Sequence, residues 1–118
     1  MEFSRIDRLQ SEFVKEISAI VSDDLRDQPP AMITFTRVEI TRDLKYAKIY
    51  FSAFGQEENV KASLEYLKRH GGVIRRMIGK RMRIRYTPEL SFIYDTATDQ
   101  VIRINEILEQ IKKDEKKS

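Results

Sequence analysis

The spacing of apolar residues changes period at Pro29-Pro30, and that change fixes the class of fold open to the chain. Before the prolines, Ile6, Leu9, Phe13, Ile17, Ile20 and Val21 recur every three or four residues, as a helix with one buried stripe requires. Ser4 supplies an N-cap oxygen. A residue preceding proline is pushed out of helical backbone, so a helix over about 4–26 must stop ahead of Pro29. After the prolines the period falls to two. Over Lys45–Phe54, Ala47, Ile49, Phe51 and Ala53 share one face and Tyr46, Lys48, Tyr50 and Ser52 the other, the alternation of a half-buried strand. In Met32–Thr41, Ile33 and Phe35 have one parity and Val38 and Ile40 the other, which predicts a bulge near Thr36-Arg37. Thr41-Arg42-Asp43-Leu44 turns the two runs into an antiparallel hairpin.

Helical spacing then returns. Glu57–Arg69 reads as a helix with Val60, Leu64 and Leu67 inward. Paired glycines favour a break, so Gly71-Gly72 separates it from a third helix, Val73 to about Lys80, that buries Ile74, Met77 and Ile78. From Met82 to Tyr94 the even positions Met82, Ile84, Tyr86, Leu90, Phe92 and Tyr94 predict a third strand. Pro88 lacks a backbone donor and marks that strand as an edge, or as bulged. Thr96-Ala97-Thr98-Asp99 has the pattern of a capping box, opening a final helix with Val101, Ile104, Leu108 and Ile111 on one stripe. That stripe either packs on the core or docks on a partner.

The order is therefore α-β-β-α-α-β plus a C-terminal helix, an α+β chain. A right-handed crossover would make the third strand parallel to the second, giving a three-stranded mixed sheet with helices on one face. Residues 1–112 fit a single domain, and 113–118 form a charged tail.

Composition removes several functions. With no cysteine among 118 residues, disulfides, thiol nucleophiles and cysteine-held zinc or iron–sulfur clusters are excluded. Charges stand where a signal peptide needs its apolar core, and no apolar run approaches the ~20 residues of a membrane span. A cytoplasmic protein is expected, with no membrane contact, cofactor or metal. Catalysis has no visible apparatus either. Glu89 and Asp95 are read as lying on opposite faces of a strand, and no P-loop or dinucleotide fingerprint occurs.

Charge distribution is the positive signal. Between Tyr66 and Pro88 lie eight Lys/Arg residues and no acid, leaving 14 basic and 19 acidic residues elsewhere. A concentrated cationic segment on an acidic body points to a polyanion. The candidate RNA-binding residues are Lys68, Arg69, Arg75, Arg76, Lys80, Arg81, Arg83 and Arg85. Arg75, Arg76, Gly79 and Lys80 share one arc of the third helix, where Gly79 would leave a low spot for a phosphate, and the N–H groups near Gly72 and Val73 offer an anion site. His70, at the kink with Gly71 and Gly72, either caps and packs the helix end or meets a phosphate when protonated. Tyr46, Lys48 and Tyr50 either stack bases or cover the sheet.

These residues carry a resemblance. Val38-Glu39-Ile40-Thr41 with Asp43-Leu44-Lys45-Tyr46-Ala47-Lys48-Ile49-Tyr50, then Gly72-Val73-Ile74-Arg75, then Met82-Arg83-Ile84-Arg85 before Pro88-Glu89-Leu90-Ser91-Phe92 resemble, in order and spacing, the ribosome-binding factor A family. The similarity runs from Arg5 to about Leu108. It implies a type II KH-like domain in which a helix kink replaces the Gly-x-x-Gly loop. The family's kink reads Ala-x-Gly where this chain has His70-Gly71-Gly72. It further implies a non-catalytic assembly factor, monomeric, that binds 16S rRNA in free, immature 30S subunits and supports rRNA processing and growth in the cold. Arg75 and Arg85 carry over best, and an assembly GTPase is a candidate second partner. A general single-stranded RNA binder, or a protein-interaction adaptor using the C-terminal stripe, are the alternatives.

Overall fold

The computed structural model describes residues 4–97. The C-terminal helix beyond Ala97 and the 113–118 tail lie outside the described residues. Helix α1, Arg5–Ala19, opens with a reciprocal cap: the Ser4 hydroxyl accepts the Asp7 N–H, and the Asp7 carboxylate accepts the Ser4 N–H. It continues into one π-helical turn, Ile20–Asp24, and ends where Leu25 turns to extended backbone. The wider turn lets the adjacent Ile20 and Val21 both bury.

Strands β1 (Ile33–Ile40) and β2 (Tyr46–Ala53) pair antiparallel. Thr36 has no partner between the Phe35–Phe51 and Arg37–Tyr50 pairs, so the bulge sits where the phase change placed it. The hairpin turn is held by Thr41 and Asp43. The Asp43 Oδ1 accepts the Thr41 hydroxyl (2.7 Å) and the Lys45 N–H (3.0 Å). Helix α2 (Glu57–Arg69) and helix α3 (Gly71–Met82) follow, then β3 (Glu89–Tyr94), parallel to β2. The sheet order is β1-β2-β3. The α+β order and mixed three-stranded sheet stand as expected.

The core lies between the sheet's Phe35, Val38, Ile40, Ala47, Ile49 and Phe51 and the helices' Phe13, Ile17, Tyr66, Leu67, Ile74 and Ile78. In α2 the buried residues are Ser63, Tyr66 and Leu67, with Val60 and Leu64 half-buried. The inward stripe is thus rotated from the expected one. Tyr66 explains the rotation, because its hydroxyl reaches the Asp27 carbonyl at 2.6 Å and fixes that face toward the α1–β1 connection.

Four local expectations are corrected. The helix break falls at His70 alone (φ −93°, ψ 4°), and both glycines lie in the first turn of α3 without positive φ. The third strand starts at Glu89, not Met82. Helix α3 runs to Met82, and Arg83 closes it in the left-handed region (φ 52°), a common helix ending. Met82 and Ile84 mimic a strand's parity because a helix end and a loop half-bury them against the core, whereas Tyr86 faces solvent. Thr96 is already helical, and the Ala97 N–H is accepted by Asp95, one residue before the expected cap. Finally, Glu89 and Asp95 stand at opposite ends of β3, and their even spacing puts them on one side of it. Length separates them, and Asp95 also accepts the Thr36 hydroxyl at 2.7 Å.

Candidate nucleic-acid interface

Helices α2 and α3 meet at His70, and the kink is braced from inside. The His70 ring lies 4.3 Å from the Tyr66 ring, its Nδ1 is 2.8 Å from the Tyr66 carbonyl, and its Nε2 is 3.2 Å from the Asp27 carboxylate. His70 therefore packs and positions the kink. No side chain caps the first turn of α3. Gly72 is exposed, and a Cβ there would meet nothing within 4 Å. A backbone could approach this turn unobstructed.

One turn further along α3, Arg75 and Arg76 come out beside the α3–β3 loop. With Gly72, Arg85, Tyr86 and Thr87 they line one open depression. Arg75 is preset: its Nε and Nη2 donate to the Thr87 carbonyl at 3.2 and 2.8 Å. The Arg85 guanidinium sits 5.6 Å from the Tyr86 ring centre, within reach of a cation–π contact. Lys68 and Arg69 on α2, Lys80 on α3 and Arg83 at its end are exposed, and among the described residues none of them is paired with a carboxylate.

Two predicted features behave differently. Arg81 is bound to Glu16 at 3.3 Å and to Asp24, tying α3 to the first helix. The Glu16 hydrogen bond pushes its guanidinium above the ordinary arginine value. Arg81 thus ties α3 to the first helix, and unlike the other seven cations it already has carboxylate partners among the described residues. Gly79 leaves no low spot, because the Thr87 hydroxyl occupies it, only 2.6 Å from where a Cβ would stand. A side chain at this position would have to displace the Thr87 hydroxyl. On the outer sheet face Tyr50 lies beneath the Arg37 guanidinium (4.0 Å) and donates to Glu39, so it covers the sheet. Tyr46 stays exposed.

The family model for ribosome-binding factor A matches residues 5–108. The chain belongs to that family. A ribosome-binding factor A from Clostridium novyi (strain NT) is 42% identical over 109 residues, covering 92% of this chain and 90% of the relative. Two Thermus thermophilus structures share the fold. The crystal structure of that organism's ribosome-binding factor A is 22% identical, with a TM-score of 0.67 over 77% of this chain and 97% of that one. A homology model of the Thermus protein, fitted into the cryo-EM map of a complex of 30S with ribosome-binding factor A, is 24% identical, with a TM-score of 0.61 over 74% of this chain and 91% of that one.

Within the family's fold, sequence reading missed Leu44, Lys45 and Tyr86. Leu44 and Lys45 on the hairpin turn and Tyr86 on the α3–β3 loop line, with Arg75 and Arg85, a cleft between the two. A lone tyrosine at an even position looks like strand core, and only its 78% exposure reveals otherwise. Among the described residues no cluster of His, Asp or Glu could hold a metal, and no helix is long and apolar enough to cross a membrane.

Proposed function

We propose that this chain is a non-catalytic, cytoplasmic ribosome-assembly factor that docks its kinked helix pair and α3–β3 loop on 16S rRNA of the free 30S subunit. The observation that carries the reading is the convergence of Arg75, Arg76 and Arg85 on one open surface, with no acid within ion-pairing reach among the described residues. Leaving cations adjacent costs self-repulsion, which a phosphate backbone relieves. Backbone and cation contacts recognise RNA chiefly by shape, which suits a factor that holds a folding intermediate. The binding equilibrium does the work: occupancy favours one rRNA arrangement by the difference in affinity between the two. Misfolded RNA pairings persist longest when cold, so loss of the factor should be felt most at low temperature.

Family membership supports the reading, as does the complex of 30S with ribosome-binding factor A into which the Thermus homology model was fitted. The test is sedimentation of the protein with free 30S, 50S and 70S particles. Comigration should be confined to 30S and abolished by a paired Arg75→Glu, Arg76→Glu change with unaltered circular dichroism. Retained 30S binding by a folded double variant would overturn it.

A further inference from the structure

Between the hairpin turn and the α3–β3 loop lies a cleft of about 560 Å³, within the size range of ligand pockets. Its apolar lining comes from Leu9 of α1, Leu44, Ile84 and Pro88, and Tyr86, 78% exposed, also lines it. Its rims differ in charge. Lys45, Arg75 and Arg85 are cationic, and Asp43 stands on the turn side. Leu44 adds a cost: it holds φ 61° and is 44% exposed. A branched residue there is strained by ~1–2 kcal/mol, and such strain persists where surrounding structure or function demands it.

We propose that this cleft receives one unpaired base of the bound RNA, stacked on the Tyr86 ring, with its flanking phosphates on Arg75, Arg76 and Arg85. The proposal rests on the RNA-binding reading above and deepens it, from a surface that grips phosphates to one that also accommodates a base. Charge argues for this occupant. A phosphate inside would face the Asp43 carboxylate, whereas a neutral ring meets Leu9, Leu44, Ile84 and Pro88. Outside, Arg75 uses Nε and Nη2 on the Thr87 carbonyl, which orients the guanidinium and leaves its remaining N–H groups for a phosphate oxygen. Arg85 lies against Tyr86, so cation and stacking platform are presented together, the pairing used for single-stranded nucleic acid.

The test uses the full chain, free 30S subunits and protein-free 16S rRNA, with Tyr86→Ala, Tyr86→Phe and the Arg75→Glu, Arg76→Glu pair. Tyr86→Ala should weaken binding to both RNA targets about 5- to 150-fold, the loss that matches ~1–3 kcal/mol per stacked base. Its thermal midpoint and salt slope should be unchanged, because an exposed ring is lost and no phosphate contact with it. Tyr86→Phe should bind like the unaltered chain. If Tyr86→Ala binds normally while the arginine pair fails, the RNA surface stands and the base site falls. If neither variant loses affinity, the RNA reading itself falls. Equal losses in Tyr86→Ala and Tyr86→Phe would assign the effect to the hydroxyl and overturn stacking. A Tyr86→Ala defect on 30S but not on protein-free rRNA would make the cleft a protein contact and overturn the proposal.

Discussion

Gly72 and Leu44 show how single residues divide between stability and recognition. At Gly72 a methyl group would meet no atom within 4 Å, and the backbone is ordinary helix. Glycine there only enlarges the entropy of the unfolded chain, so Gly72→Ala should raise unfolding free energy by ~0.5–1 kcal/mol, measured by urea denaturation. The same methyl stands in the depression lined by Arg75 and Arg85, so RNA affinity should fall if the phosphate backbone approaches that turn. Leu44 is the complementary case. Leu44→Gly relieves left-handed strain of ~1–2 kcal/mol but adds the ~0.5–1 kcal/mol unfolded-chain entropy of a glycine, so it should stabilise the fold by under ~1 kcal/mol. It also removes an apolar wall of the cleft, so denaturation and RNA titration should move in opposite directions. Sequence shows where these residues are but not why. Gly71-Gly72 is read as the break because glycine usually is the break. Here His70 breaks the helix through contacts with Tyr66 and Asp27, and a contact 43 residues away in the chain leaves no local signature.

Helix α3 is held at both ends by interactions of different kinds, and each gives a separate outcome. Arg81 ties it to Glu16 and Asp24. Arg81→Ala should lower the thermal midpoint, less so in high salt, since an exposed ion pair is screened. Its affinity for 30S should remain, the reverse of an Arg76 variant. At the kink, burial pushes the Tyr66 phenol above its ordinary value, and the Asp27 carboxylate adds to the shift. Raised pH ionises the unfolded tyrosine first, so the unfolded chain gives up its proton while the native one keeps it. Stability from this group is therefore intact below about pH 10 and is lost as pH climbs toward the folded value. Tyr66→Phe should cost ~1 kcal/mol at neutral pH through the lost bond to the Asp27 carbonyl, and its urea midpoint should fall less steeply in alkali. Elements with strong periodicity were legible, including the bulge at Thr36, since a strand's parity is a local property. The start of β3 was not, because Met82 and Ile84 are half-buried by a helix end and a loop in the parity a strand would show.

Charge acts over the whole molecule, and there the sequence is both most informative and incomplete. Eight cations without an acid between Tyr66 and Pro88 announce a polyanion surface, yet adjacency in sequence does not decide which of them face it. The fold does the sorting. Arg81 pairs at the surface with carboxylates supplied by the first helix and its π-helical turn, whereas Arg75, Arg76 and Arg85 gather around the loop before β3. Salt dependence reads that division directly. If the surface neutralises about five phosphates, the logarithm of the 30S association constant should fall against the logarithm of salt concentration with a slope of roughly −4 to −5. Replacing Arg76 or Arg85 by alanine should make the slope shallower by about one unit each, whereas Arg81→Ala should leave it unchanged. Should Arg81→Ala flatten the slope as much as Arg76→Ala, Arg81 would be part of the interface and the surface would wrap round to the α1 side. A slope near zero throughout would remove phosphate from the recognition altogether.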